Sequence, residues 1–200
     1  MEVIVGNTLI STFYSIEPFM PAALAFSPSK IILLVDADPK PELVKNVELV
    51  KKTLGSAVFV KTVPVEQYDL YDVAKKVVKL IDEEHGADQR VFLNVTGGRR
   101  TVTLGALMAS YMRSEMVEKV VHCVEESSEF VELPKLSMTP SRAKREILEA
   151  IAKGKKPVPE IADKLEKTRG MVYAHLRELK AAGFVNEKFE LTTAGRIALL

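Results

Sequence analysis

Leu93-Asn94-Val95-Thr96-Gly97-Gly98-Arg99-Arg100-Thr101 is the stretch on which the fold turns. Val91, Phe92, Leu93 and Val95 form a short apolar run that reads as a buried strand. Thr96, Gly97 and Gly98 stop it, and a helical pattern runs from Arg99 to about Ser114. Strand, glycine turn and helix start therefore follow one another within a few residues. Glycine permits backbone angles and close approaches that a side chain would block. A helix start offers unpaired N–H groups and a partial positive charge, which suit an anion. Arg99 and Arg100 add two cationic forks matched to phosphate oxygens, and Thr96 adds a hydroxyl. The stretch reads as a phosphate-recognising loop on an α/β sheet. It also fits a tight turn with two solvated arginines. Neither GxxxxGK[ST] nor GxGxxG occurs, so neither a Walker-type NTPase nor a dinucleotide cofactor is supported.

Upstream, the same alternation repeats. Thr8 to Thr12 is a first strand, with residues 1–6 either extending it or forming a lead-in. A loop covers Phe13 to Ile16, and Glu17-Pro18 opens a helix that ends near Phe26. Ile31 to Val35 is a continuous apolar run, as expected of a strand covered on both faces. A helix over Pro41–Leu54 places Leu43, Val44, Val47, Val50 and Leu54 on one face. Ala57 to Val63 is a third strand, and Tyr68 to Glu84 an amphipathic helix. Downstream of the glycine turn, Val117 to Val124 is a fifth strand. Glu125 to Ser128 turns, and Glu129 to Leu133 returns antiparallel to the fifth. This order predicts an α/β doubly wound sheet, whose ligands bind at the carboxyl ends of its strands. Phe13–Ile16, Asp36–Asp38 and Thr96–Arg100 converge there, with Pro64–Tyr68 close by. Asp36 and Asp38 fit either a ribose hydroxyl or a metal, or merely the capping of the next helix.

Residues 134–140 read as a linker, separating a domain over 1–133 from one over 141–200. Charge divides the same way. Residues 1–138 carry 15 Lys and Arg against 19 Asp and Glu, a net −4, whereas residues 139–200 carry 13 against 8, a net +5. The basic tail is thus the part suited to a polyanion. Helices are predicted over Ser141–Lys153, Pro157–Lys164 and Arg169–Ala182, followed by a Gly183 cap. A hairpin pairing Phe184-Val185 with Phe189-Glu190-Leu191, and a last helix from Thr192, complete a winged helix-turn-helix. Its third helix would enter the major groove. Lys167, Thr168, Arg169, Tyr173, Arg177 and wing Lys188 are the DNA-contact candidates, the lysines for phosphates. Arg169 and His175 also match a loose Arg-x5-His spacing of certain ribonucleases.

Cys123 is the single cysteine, so an internal disulfide and a multi-cysteine metal site are excluded, and three scattered histidines show no ligand spacing. No metal, cofactor or catalytic residue is expected. The sequence has no long apolar span and no signal-peptide start, giving a cytoplasmic protein without membrane contact as the expectation.

Thr8-Leu9-Ile10-Ser11-Thr12, Glu17-Pro18, Ile32-Leu33-Leu34-Val35-Asp36 and Asn94-Val95-Thr96-Gly97-Gly98 together resemble a CARF domain, the Rossmann-like sensor of CRISPR–Cas systems. Tyr173-Ala174-His175-Leu176, Ala182-Gly183-Phe184-Val185 and Leu191-Thr192-Thr193-Ala194-Gly195-Arg196 are similar to winged-helix regulators of the MarR/ArsR kind. The pairing resembles the archaeal Csa-type transcriptional regulators of CRISPR loci. That resemblance implies a cyclic oligoadenylate effector, with cyclic tetra-adenylate favoured, held in a pocket shared by two subunits. It implies a homodimer whose winged helices read palindromic double-stranded promoter DNA. Carried over by motif, the ligand contacts fall on Ser11, Thr12, Phe13, Tyr14 and Ser15 and on Thr96, Gly97, Gly98, Arg99 and Arg100. Some such domains cleave the ring slowly, and Arg99 or Arg100 would then stabilise charge, though no general base is in evidence. A ring nuclease and a protein-interaction module are the competing expectations.

Overall fold

The computed structural model describes residues 6–124, 127, 129–154 and 158–200. The chain divides into two compact units, Met1–Ser137 and Met138–Leu200. The first unit runs β1 (Asn7–Thr12), α1 (Met20–Phe26), β2 (Lys30–Asp36), α2 (Pro41–Leu54), β3 (Phe59–Val65), α3 (Leu70–Gly86), β4 (Arg90–Asn94), α4 (Arg100–Met112), β5 (Val117–Cys123) and β6 (Phe130–Leu133). These strands make one sheet in the order β3-β2-β1-β4-β5-β6. All neighbours are parallel except β6, which runs antiparallel to β5. The chain winds outward from β1 to β3, then returns to β4 on the other side of β1. The winding direction therefore switches between β1 and β4, where Ser11 lies opposite Asn94. In open α/β sheets that switch leaves a crevice at the strands' carboxyl ends.

Burial follows from the sequence pattern. Leu9, Ile10, Ile31, Ile32, Leu33 and Leu93 are fully enclosed, as central strands covered on both faces require. Leu9, Leu33 and Phe92 pack under α1 and α2 with Phe19, Phe26, Leu43, Val47 and Val50. Phe26 stacks on Phe92 with centroids 4.4 Å apart. Each such apolar side chain contributes about 1.5–3 kcal/mol when taken from water. Helix α3 supplies a second buried stripe, Val73, Ala74, Val77, Val78 and Ile81. Gly105 of α4 lets that helix approach closely: a Cβ there would stand 2.8 Å from the Val73 Cβ. At the amino ends of the strands, buried Glu84 accepts from the Thr8 hydroxyl at 3.0 Å and pairs with Lys30 at 2.6 Å.

Helix α1, the inward face of α2 and the end of β3 differ from the sequence expectation. Helix α1 starts at Met20, not at Glu17-Pro18, because Phe19 and Met20 both donate to the Ile16 carbonyl and close a turn first; Pro21 then takes the first-turn position. Val44 is exposed, since Leu43, Val47 and Val50 already define the inward stripe and Val44 lies about 100° away. Strand β3 runs on to Val65 through Pro64, which an edge strand tolerates. The lead-in before Gly6, the turn residues Glu125, Glu126 and Ser128, and the helix start at Pro157 lie outside the described residues.

The second unit contains α5 (Arg142–Ala152), α6 (Val158–Lys164), α7 (Arg169–Ala181) and α8 (Thr193–Ile197). Ile147, Leu148, Ile161, Val172, Leu176 and Leu179 are its enclosed apolar residues. Thr168 caps α7 by accepting from the Met171 N–H at 3.3 Å, and Gly183 (φ 78°) ends the helix segment in the left-handed region. The expected hairpin is reduced to a single antiparallel bridge, Val185 to Leu191. Its tip is closed by a side chain instead of a ladder: the Asn186 carboxamide oxygen accepts from Lys188 and Glu190 N–H, each at 2.9 Å, and Phe189 takes φ 56°.

Candidate functional site

The glycine turn is held from below by its own neighbours. Asn94, the last residue of β4, is fully buried. Its side-chain oxygen accepts from the Thr96 N–H at 3.2 Å and from the Thr96 hydroxyl. That hydroxyl in turn accepts from the Cys123 N–H at 2.7 Å, tying the turn to β5. The Thr96 hydroxyl is thereby committed inside the protein, which corrects its assignment as a phosphate ligand. Gly97 is favoured by contact: a Cβ would stand a tight 3.0 Å from the Thr12 carbonyl and 3.1 Å from the Tyr14 nitrogen. Gly98 is required by conformation, with φ 82°. Arg99 is extended and is the N-cap of α4, with no side-chain cap bond. The Val102 N–H is taken by the Arg99 carbonyl at 2.9 Å, and the Arg99 side chain caps none of the first N–H groups at the positive end of this 13-residue helix.

Beside this turn, across the carboxyl ends of β1, β2 and β3, opens a cleft of about 250 Å³. Leu34, Val35, Leu43, Val65 and Val102 give it an apolar floor; Tyr14, Asp36, Lys40, Gln67 and Arg99 give it a polar rim. Arg99 Nε donates to Gln67 Oε1 at 3.3 Å, and the Thr101 hydroxyl donates to the Gln67 carbonyl. The Tyr14 hydroxyl donates to Glu42 at 3.0 Å, and Asn46 Nδ2 donates to the Tyr14 carbonyl at 2.9 Å. The hydrogen bond to Glu42 and that carboxylate's charge hold the Tyr14 phenol above its ordinary pKa, with Arg99 pulling the other way. Tyr14 is therefore a neutral O–H at the rim. An apolar floor, cationic rim groups and a free helix start suit a phosphate joined to a flat apolar ring system.

Within the first expected cluster the side chains have different fates. Ser11 and Thr12 are buried and donate to main-chain carbonyls, of Thr12 at 2.9 Å and of Asn94 at 3.5 Å. Phe13 is core, edge-on to Phe19 at 5.6 Å. Ser11 and Thr12 face inward because β1 is central and covered on both sides, whereas Phe13, just past the end of β1, is mostly enclosed and still lines the cleft. Tyr14, Ser15, Gly98, Arg99 and Arg100 are at least partly open to solvent. Sequence reasoning missed Lys40 and singled out neither Gln67 nor Asn46. The available signal for Lys40 and Gln67 was position: each is a polar residue just past the end of an inner or edge strand.

In the second unit, Arg169, Tyr173 and Arg177 are exposed along α7, and Lys188 is exposed at the tip of the wing. Lys167 departs from expectation. Its ammonium pairs with Glu146 of α5 at 2.9 Å and is mostly enclosed, with 18% of its side chain exposed. The Lys167 hydrogen bond and charge, joined by Arg142, hold the Glu146 carboxyl below the usual carboxylate range. Arg169 and His175 lie six residues apart, hence about 120° apart around the helix, and His175 faces Glu178. Among the described residues no cluster of His, Cys, Asp and Glu could hold a metal, and no helix is long and apolar enough to cross a membrane.

Residues 141–187 match the family described as bacterial regulatory protein, arsR family. Residues 13–126 match the family described as HFX_2341_N-like, N-terminal. No curated protein matches the sequence significantly. Among solved structures, the chain is similar to Can2 from Sulfobacillus thermosulfidooxidans in complex with cyclic tetra-adenylate, at 15% identity over 98% of this chain and 64% of that one, with a TM-score of 0.52. It is similar to a type III CRISPR defence DNA nuclease activated by cyclic oligoadenylate, at 14% identity over 88% and 30%, TM-score 0.51. It is also similar to Enterococcus italicus Csm6 bound to cyclic hexa-2'-fluoro-hexa-dAMP, at 11% identity over 91% and 57%, TM-score 0.54. The chain spans between 30% and 64% of the length of these structures, and at such identities the likeness is one of fold. The first unit's match spans more than half of the chain, which therefore belongs to the HFX_2341_N-like, N-terminal family, and a stretch similar to the arsR family follows it.

Proposed function

We propose that this protein is a CRISPR-associated transcriptional regulator of the Csa type. Its first unit binds a cyclic oligoadenylate, with cyclic tetra-adenylate as the favoured ring, and its second unit binds promoter DNA. One observation carries the proposal. At the uncapped start of α4, Arg99 lines an apolar-floored cleft at the carboxyl ends of the strands and Arg100 follows it, in a chain that also bears a helix-turn-helix. Support comes from the compared structures, two of which hold a cyclic oligonucleotide. In this reading Arg99, Arg100 and the α4 N–H groups meet phosphate, Gly97 and Gly98 permit the approach, and Tyr14 and Ser15 line the entrance. Ser11, Thr12, Phe13 and Thr96 hold that arrangement from within. Arg169, Tyr173 and Arg177 face the major groove, Thr168 orients α7, and Lys188 meets backbone phosphate. The protein works in the cytoplasm as a homodimer, and its two helix-turn-helix units match a palindromic site.

Ring and DNA are coupled only if the ring favours one dimer arrangement over another, and the coupling is reciprocal. The test is a promoter-DNA binding isotherm at fixed salt, with and without saturating cyclic tetra-adenylate. A change in Kd of about fivefold or more is expected, the lower bound of ordinary allosteric coupling. Identical isotherms refute the regulatory proposal.

A further inference from the structure

We infer that Gln67 positions Arg99 for the anion, by occupying its Nε–H so that the guanidinium meets phosphate through its two terminal nitrogens. The inference rests on the 96–100 turn being the oligoadenylate phosphate site. Gln67 stands on a turn that is itself fixed. The Glu66 N–H donates to Asp72 Oδ2 at 3.0 Å, and the Asp69 N–H donates to the Glu66 carbonyl at 2.9 Å. Asp69 Oδ1 caps α3 by accepting from Tyr71 and Asp72 N–H at 2.9 and 3.1 Å. On the strand side, the Ala37 N–H donates to the Val65 carbonyl at 3.0 Å. From this anchored turn Gln67 reaches the start of α4 twice. Its main-chain carbonyl accepts from the Thr101 hydroxyl, and its side-chain oxygen accepts from Arg99 Nε at 3.3 Å.

The choice of a glutamine has a chemical consequence. A guanidinium has five N–H donors, one on Nε and four on the terminal nitrogens. With Nε engaged, the four terminal donors remain, and no carboxylate among the described residues is paired with Arg99. A neutral amide fixes the side chain without cancelling its charge, so part of the ordering cost is met before the ligand arrives. A carboxylate at the same place would hold the guanidinium as well but compete with phosphate for its charge.

The test is a double-mutant cycle, Gln67→Ala and Arg99→Ala singly and together, read by calorimetry with cyclic tetra-adenylate. Gln67→Ala keeps the main-chain carbonyl that holds Thr101, so it deletes the Arg99 link alone. Loss of about 3- to 10-fold in affinity is expected, the range for one hydrogen bond. No further loss is expected in the Arg99→Ala background. Equal losses in both backgrounds overturn the inference, because Gln67 would then act on the ligand directly. A second readout needs no ligand: the heteronuclear NOE of the Arg99 Nε–H in the free protein. It falls in Gln67→Ala and is retained in Gln67→Glu, which nevertheless binds the ring more weakly than wild type. An NOE unchanged by Gln67→Ala overturns the positioning role. If the wild-type protein binds no ring, the phosphate-site reading fails, and the NOE alone decides whether Gln67 orders Arg99.

Discussion

Replacing Thr96 by valine separates a structural hydroxyl from a ligand-binding one. Valine has the shape of threonine, so the substitution leaves no cavity and isolates the oxygen. Two bonds vanish. Cys123, which is fully buried, loses the acceptor for its N–H. Asn94 Oδ1 loses the hydroxyl donor but keeps the Thr96 N–H at 3.2 Å. An unsatisfied buried donor costs about 1–3 kcal/mol and a lost bond with a remaining partner about 0.5–1 kcal/mol. Thr96→Val should therefore destabilise the first unit by about 1.5–4 kcal/mol. Urea denaturation followed at first-unit amides by NMR gives the midpoint shift, and hydrogen exchange at the Cys123 amide reports the broken contact itself. Thr96→Ser keeps the oxygen and should restore most of the stability. If Thr96→Val unfolds within about 0.5 kcal/mol of wild type with Cys123 protection intact, the hydroxyl is not structural and the assignment made from the geometry is wrong.

Gly105→Ala should cost about 1–3 kcal/mol in urea denaturation, since the new Cβ meets the Val73 Cβ at 2.8 Å and the Leu70 carbonyl at 3.0 Å. Arg169→Ala and Arg177→Ala should each weaken binding to the cognate site by about 1–3 kcal/mol and relax its sequence preference, whereas Lys188→Ala should flatten the plot of log Kd against log salt by about one unit, as loss of a single phosphate contact does. Lys167→Ala should leave that slope unchanged and lower the stability of the second unit instead, because its ammonium is spent on Glu146. The Glu146 carboxyl titrates below its usual range in the folded protein, so its contribution is complete above the unfolded pKa and is lost as pH falls through the folded one. Urea midpoints of the second unit should fall accordingly on acidification, and Glu146→Gln should remove that component of the pH dependence.

The strands and long helices could be read from sequence because local pattern and tertiary environment agree. Ile31 to Val35 is apolar throughout and is enclosed on both faces, and Val73 to Ile81 repeats at the helical period and is buried as a stripe. Misreadings fall where a local cue meets a stronger tertiary one. Pro18 signals a helix start, yet the Ile16 turn delays it to Met20. The wing's alternating residues suggest a ladder, yet the Asn186 side chain and two main-chain bonds of the same residue close the tip around a single bridge. At the site, residue type was legible but side-chain commitment was not. Thr96 and Arg99 both look like phosphate ligands in the sequence. Only their partners separate them: Cys123 and Asn94 for the first, a single neutral amide for the second. Lys167 is the parallel case, since its pairing with Glu146, 21 residues away, leaves no mark in the local sequence.

Calorimetric titration of the full chain with cyclic tetra-adenylate, against linear tetra-adenylate as control, tests the central claim most directly. Saturable binding of one ring per two chains is predicted, with the linear form bound more weakly and Arg99→Ala reducing the affinity. An absence of binding heat with the ring, or equal affinity for the linear form, would contradict a cyclic-oligoadenylate sensor and leave the Thr96–Arg100 segment as a tight turn with two solvated arginines.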